Sequence, residues 1–176
     1  MRLKIFFEPK KKHYFLPINY QYQLSSAIYK IFKNGSNEVA NWLHNAGYKD
    51  EQGRTLKLFN FSNLHFERYT IEKNLIKCFG VTTLVFSSPL ETNLVKFFID
   101  GIFKEPIVKI KYQSETLNFH ITTIELQEEL KPDNLMRYKL LTPASVSIQS
   151  NTNGVKSIKY LNPNDQDFAI RLINNL

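Results

Sequence analysis

Cysteine is nearly absent from this sequence: Cys78 is the only one in 176 residues. No intramolecular disulfide and no CxxC metal site can form, which fits a reducing compartment. Histidine is sparse and scattered. His13, His44, His65 and His120 make no HxH or HxxxH pair, so a histidine-based metal centre is not expected. Long apolar runs are missing as well. No stretch suits a bilayer span, and residues 1–8 carry charge among their apolar positions, unlike a signal peptide. These absences lead to the expectation of a soluble cytoplasmic protein with no membrane partner, no metal and no cofactor.

What is present is an apolar fraction of 43% and an aromatic fraction of 14%, enough to build a core and to exclude global disorder. The length suits one domain, or one domain and part of another. Lys and Arg total 23 against 16 Asp and Glu, a net charge of +7. A pI near 9.4 points to a polyanionic partner, nucleic acid first and an anionic membrane second.

Residues 2–7 mostly alternate, as a half-buried strand does, and Lys10, Lys11, Lys12 and His13 read as a basic loop. Leu24, Ala27, Ile28, Ile31 and Phe32 recur at helical spacing until Asn34 and Gly35 close the helix. Ser36 or Asn37 can cap a second helix with Val39, Trp42, Leu43 and Ala46 as its stripe, ended by Gly47. Residues 49–55 form a polar loop. Residues 56–87, rich in Phe, Ile, Val and Thr, read as two or three strands. Ser88, Pro89 and Glu91 make a strong helix start, a capping box followed by the stripe Leu94, Phe97, Phe98 and Ile102. Residues 108–112 and 117–126 are two more strands.

This order is β-α-β-β-α-β with additions, an α+β ferredoxin-like (RRM-like) domain over residues 1–128. Residues 129–134 read as a linker. Residues 135–176 then suggest the first half of a second ferredoxin-like fold: a strand over 136–148, a turn over 150–154, a strand over 155–160, and a helix capped by Asn164 or Asp165. The stripe of that helix is Phe168, Ala169, Leu172, Ile173 and Leu176. A hairpin and one helix cannot cover their own apolar faces, so self-association or pairing with a separate C-terminal polypeptide is expected.

Two ring side chains stand where core packing does not explain them. At 100° per residue, Tyr29 points about 130° away from the stripe of the first helix, and His44 about 140° from that of the second. Both are expected to face outward, and on adjoining helices they can meet in one shallow site. His suits proton transfer near neutral pH, and Tyr can donate or accept a hydrogen bond. Lys57, just after the polar loop, can stabilise a doubly charged phosphorane, or it can be a solvated strand end.

The N-terminal run Met1-Arg-Leu-Lys-Ile-Phe-Phe, then residues 16–24 (LPINYQYQL), Ala27-Ile28-Tyr29, Trp42-Leu43-His44 and Lys57-Leu58-Phe59-Asn60-Phe61-Ser62, together resemble the CRISPR-associated endoribonucleases that cut precursor CRISPR RNA within its repeats. That family belongs to the RAMP superfamily and carries two tandem ferredoxin-like folds. The resemblance runs along the whole chain in order and includes Thr142-Pro143. It implies a catalytic His at His44, within the Leu43-His44 pair, a catalytic Tyr at Tyr29 and a catalytic Lys at Lys57. It also implies a metal-independent cut, in which the ribose 2′-hydroxyl attacks the adjacent phosphate. The products are a 2′,3′-cyclic phosphate and a 5′-hydroxyl.

The sequence departs from the family in one respect. The family carries a Gly-aromatic-Gly loop late in its second fold, whereas the six glycines here, at 35, 47, 53, 80, 101 and 154, form no such motif. The expectation is a chain cut short in its second domain. Lys10, Lys11, Lys12, Arg54, Arg137 and Lys139 are candidate phosphate contacts. The expected partner is CRISPR repeat RNA, with other subunits of a CRISPR complex as further candidates. Two alternatives stand beside the nuclease: a non-catalytic RNA-binding RAMP subunit, and a ferredoxin-like protein-interaction domain.

Overall fold

The computed structural model describes residues 1–49, 53, 55–89, 93–112, 115–128, 135, 137, 145–152 and 155–173. Alternation in the first strand, β1 (Arg2–Pro9), buries Leu3, Ile5 and Phe7. Pairing does not end with the three lysines that follow. His13, read from the sequence as loop, opens β2 (His13–Pro17). Two helices follow, α1 (Gln21–Gly35) and α2 (Asn37–Asn45), then the short strands β3 (Tyr48–Lys49), β4 (Thr55–Leu56) and β5 (Asn60–Phe61). A long hairpin, β6 (His65–Glu72) and β7 (Leu75–Ser87), leads into α3 (Asn93–Lys104). A second hairpin, β8 (Ile107–Tyr112) and β9 (Glu115–Gln127), completes the sheet. The region 56–87 thus holds two long strands and two-residue pairings beside them, where sequence pattern alone suggests two or three strands.

The sheet runs β2-β7-β1-β9-β8, with β5 and β6 on the other edge of β7. β1 is antiparallel to both β7 and β9, which makes β7 and β9 parallel to each other across it. This is the split β-α-β order of a ferredoxin-like fold, with β6, β7, β1 and β9 as its four strands. β1 and β2 lie end to end along one edge of β7: Arg2 to Phe7 face Ser87 to Thr82, and His13 to Pro17 face Phe79 to Leu75. Lys10, Lys11 and Lys12 are the exposed bulge between them. Opposite this break β7 turns at Gly80 (φ +71°), where a Cβ would collide with the Glu67 carboxylate. Glu67 Oε2 instead accepts the Val81 N–H at 3.0 Å, and β6 shifts register at the same point.

Helices α1 and α3 pack on the face from which Leu3, Ile5 and Phe7 project. The core joins Leu24, Ile28, Ile31 and Phe32 of α1 to Leu94, Val95, Phe98 and Ile102 of α3. Phe86 and Phe98 stack at 4.1 Å. The two helices cross backbone to backbone: a Cβ on Gly101 would strike the Ile31 carbonyl, and one on Gly35 the Phe97 carbonyl. Ser88 Oγ donates to the Leu58 carbonyl at 2.8 Å; Leu90 and Glu91 of the expected capping box lie outside the described residues.

Cα packing divides the chain into two units, Met1–Leu130 and Lys131–Leu176. The segment 129–134, read as a linker, lies outside the described residues, as does the Thr142-Pro143 pair. In the second unit β10 (Ser147–Thr152) and β11 (Val155–Tyr160) form a hairpin, followed by α4 (Gln166–Ile173). Pairing of Thr152 with Val155 carries the first strand through residues 150–152, which sequence pattern places in the turn. The Asp165 carboxylate accepts the Asn162 N–H at 2.9 Å, and no described residue of α4 is buried. Among the described residues, no helix is long and apolar enough to cross a membrane.

Candidate active site

The stripe of α1 turns Leu24, Ala27, Ile28, Ile31 and Phe32 inward and leaves Tyr29 on its flank. Tyr29 is half-buried, not outward as helical spacing alone suggests, because Phe59 comes up beside it. The Tyr29 and Phe59 rings meet edge to face at 5.8 Å, and Phe59 in turn lies against Phe32 and Phe86. Phe59 arrives there through Leu58, whose φ of +51° is rare for a side chain of that size. That strain is held where the Ser88 hydroxyl binds the Leu58 carbonyl.

Helix α2 is capped at its start by Ser36 Oγ, which accepts the Val39 N–H at 3.3 Å. Its inward residues are Ala40 and Leu43. The expected stripe placed Trp42 inside, but Trp42 is 37% exposed and packs edge-on against Tyr48 at 4.6 Å. His44 is exposed, as its position off the stripe suggests. Its ring meets that of Tyr29 at 6.0 Å and 69°, so the two residues singled out on adjoining helices are brought together. His44 Nδ1 lies 3.2 Å from Asn45 Oδ1, which accepts only. Where Nδ1–H donates to that oxygen, the neutral ring leaves the Nε2 lone pair free for a proton.

Lys57 Nζ donates to the carbonyls of Leu43 and His44, the latter at 3.1 Å. These are last-turn carbonyls of α2, so the ammonium caps the helix and complements its dipole. It also sets a positive charge on the backbone of His44. Burial raises the pKa of the Tyr29 hydroxyl above its ordinary value, so near neutral pH Tyr29 is a hydrogen-bond donor and not a base. Among the described residues no group of three or more His, Cys, Asp or Glu side chains is placed to hold a metal ion.

The candidate phosphate contacts do not all gather here. Phe86, beside the Tyr29 site, is level with Leu3 of β1, whereas Lys10, Lys11 and Lys12 follow Pro9 at its other end. Six residues of extended strand separate the two by about 20 Å. There Lys10 and Lys11 border a cavity of about 310 Å³ with Tyr14 and Phe119. Arg137 is exposed in the second unit; Arg54 and Lys139 lie outside the described residues. Phe59, which sequence reasoning took only as part of a strand, is the residue that seats Tyr29.

The split sheet and its helices define a ferredoxin-like fold. A structure described as "An RAMP protein binding different RNA substrates" matches in fold with a TM-score of 0.69 at 20% identity, over 99% of this chain and 68% of that one. Another, "Characterization of a Cas6-related gene from Pyrococcus furiosus", gives 0.77 at 22% identity, over 99% and 67%. The family model "CRISPR-associated protein Cas6, N-terminal" matches residues 15–124, and the chain belongs to that family. A curated relative, "CRISPR-associated endoribonuclease Cas6 1" of Methanocaldococcus jannaschii, is 27% identical over 163 residues. The alignment covers 92% of this chain and spans 58% of that relative's length.

Proposed function

We propose that this chain is an endoribonuclease that cuts precursor CRISPR RNA within its repeats, with His44, Tyr29 and Lys57 around the scissile phosphate. The observation that carries the reading is the meeting of the Tyr29 and His44 rings at 6.0 Å, with Lys57 held on the His44 carbonyl. The curated relative is named as an endoribonuclease of this kind, which supports the reading.

His44 Nε2 takes the proton of the ribose 2′-hydroxyl. The 2′-oxygen then attacks the adjacent phosphorus, and the bond to the 5′-oxygen breaks. Water protonates that oxygen as it leaves, and the His44 imidazolium gives its proton to the hydroxide so formed, so the products are a 2′,3′-cyclic phosphate and a 5′-hydroxyl. Tyr29, kept protonated by burial, donates to a phosphate oxygen. The Lys57 ammonium offsets the charge that builds on the phosphorane. No step calls for a metal ion, because alignment and proton transfer supply the rate. Repeat RNA is the partner, and the chain works in the cytoplasm.

The test is incubation with repeat RNA in EDTA, followed by analysis of the product ends. A 2′,3′-cyclic phosphate is expected. Intact RNA bound without cleavage would favour the non-catalytic RAMP subunit instead.

A further inference from the structure

A groove of about 440 Å³ runs between α1 and β8, lined by Tyr22, Ser26, Lys30, Lys109 and Lys111 among others. Its charge is one-sided. Glu105 holds Lys109 at 2.5 Å and acts at longer range on Lys30, so one carboxylate faces three lysines, and neither Lys30 nor Lys111 has an ion pair among the described residues. Tyr22 is 82% exposed at the mouth of the groove, an apolar ring that the core does not use. Lysines spaced beside a solvent-facing aromatic ring suit a single strand of nucleic acid, with phosphates on the ammonium groups and a base on the ring.

The placement ties the groove to the candidate active site. Lys30 follows Tyr29 in α1 and projects about 100° round the helix, so the groove and the Tyr29–His44 pair flank one exposed crest. Tyr22 lies seven residues from Tyr29, about 10 Å along the axis and nearly in line with it. The far end of the groove is Lys111, which pairs across the hairpin with Thr116. Thr116 also borders the cavity beside Lys10 and Lys11. The groove therefore bridges two basic features that otherwise stand about 20 Å apart on β1.

We propose that the α1–β8 groove is a second contact for the substrate strand, with Lys30 and Lys111 on its phosphates and Tyr22 under a base. This rests on the RNA reading above. Lysines on an edge strand such as β8 also discourage edge-to-edge pairing, and that role alone predicts no effect on RNA.

Fluorescence anisotropy of a labelled CRISPR repeat RNA, in a His44→Ala background expected to slow cutting, separates these outcomes. The double change Lys30→Gln and Lys111→Gln is expected to weaken binding about tenfold and to reduce the log–log salt slope by about 1.4, at roughly 0.7 per single-strand phosphate. Tyr22→Ala should weaken binding roughly tenfold with the slope unchanged. Changing the exposed Lys96 and Lys159 to Gln removes the same charge elsewhere. An equal loss in that control, or unchanged binding in the groove variants, overturns the proposal and leaves the RNA reading standing. If the His44→Ala chain binds no RNA at all, the underlying reading fails and the groove with it.

Discussion

Lys57 reaches from the link between β4 and β5 to the carbonyl of His44, 3.1 Å away. One side chain therefore finishes α2 and sets a positive charge at the candidate general base. The two roles separate experimentally. Lys57→Met keeps the apolar stem and removes the donors, and should lower stability by about 0.5–1 kcal/mol, as loss of a cation at a helix C-terminus does. If Lys57 also stabilises the phosphorane, cleavage should fall on the order of 10²-fold, much more than the stability loss explains. Urea titration alongside single-turnover cleavage checks both. A rate that drops no further than the folded fraction would confine Lys57 to capping.

His44→Ala should slow cleavage by about 10²-fold or more, as loss of a general acid or base does, with RNA affinity little changed. The ring is exposed and its ring contact is with the half-buried Tyr29, so folding should change little. Tyr29→Phe keeps the edge contact with Phe59 and removes only the donor, so a lower rate at unchanged stability is expected. Cleavage by His44→Ala at the parent rate would end the assignment.

Cleavage should persist in EDTA, since proton transfer and charge stabilisation are assigned to side chains. Loss of activity in chelator that magnesium restores would sink the mechanism.

Much of this architecture was legible in the sequence. The stripe of α1, the Ser36 cap, the buried face of α3 and the β8–β9 hairpin follow from local periodicity, which senses one element against one core. What periodicity missed depends on partners remote in sequence. β2 is a strand because Cys78 and its neighbours in β7 extend past the end of β1, and nothing near His13 announces that. Trp42 packs outside the core against Tyr48 at the start of β3, a partner that the period of α2 does not reveal. Tyr29 and His44 were identifiable as off-stripe residues. The half-burial of Tyr29 was not, since Phe59 reaches it only through the unusual backbone at Leu58.

Gly101→Ala should destabilise the first unit, although alanine is the better helix former by about 1 kcal/mol. The added methyl meets the Ile31 carbonyl, a backbone atom that cannot swing aside, so α1 and α3 must separate and loosen the packing of Phe32 on Phe98. A net loss of about 2–3 kcal/mol is expected by urea denaturation, the magnitude of overpacking in a tight core. Because Tyr29 rides on α1, cleavage should weaken with it. A variant as stable as the parent would mean that the helices do not cross at this point.

Cys78 is fully buried, and burial raises its thiol pKa from an ordinary value near 9.0 to about 11. Tyr14 beside it hydrogen-bonds Thr82, and its own pKa is raised by burial as well. The sign follows from linkage. The unfolded chain releases the Cys78 proton near pH 9, the folded chain only near 11, so the stability tied to this thiol is full below pH 9 and is lost as pH rises through 11. The shift corresponds to a loss on the order of 2 kcal/mol. The urea midpoint should therefore hold from pH 7 to 9 and fall steeply by pH 11, and Cys78→Ala should flatten part of that fall. At pH 8 the thiol should react with iodoacetamide only as fast as the fold opens. Rapid labelling of the native chain at that pH would show that Cys78 is reached by solvent and that the core around β7 is looser than its packing implies.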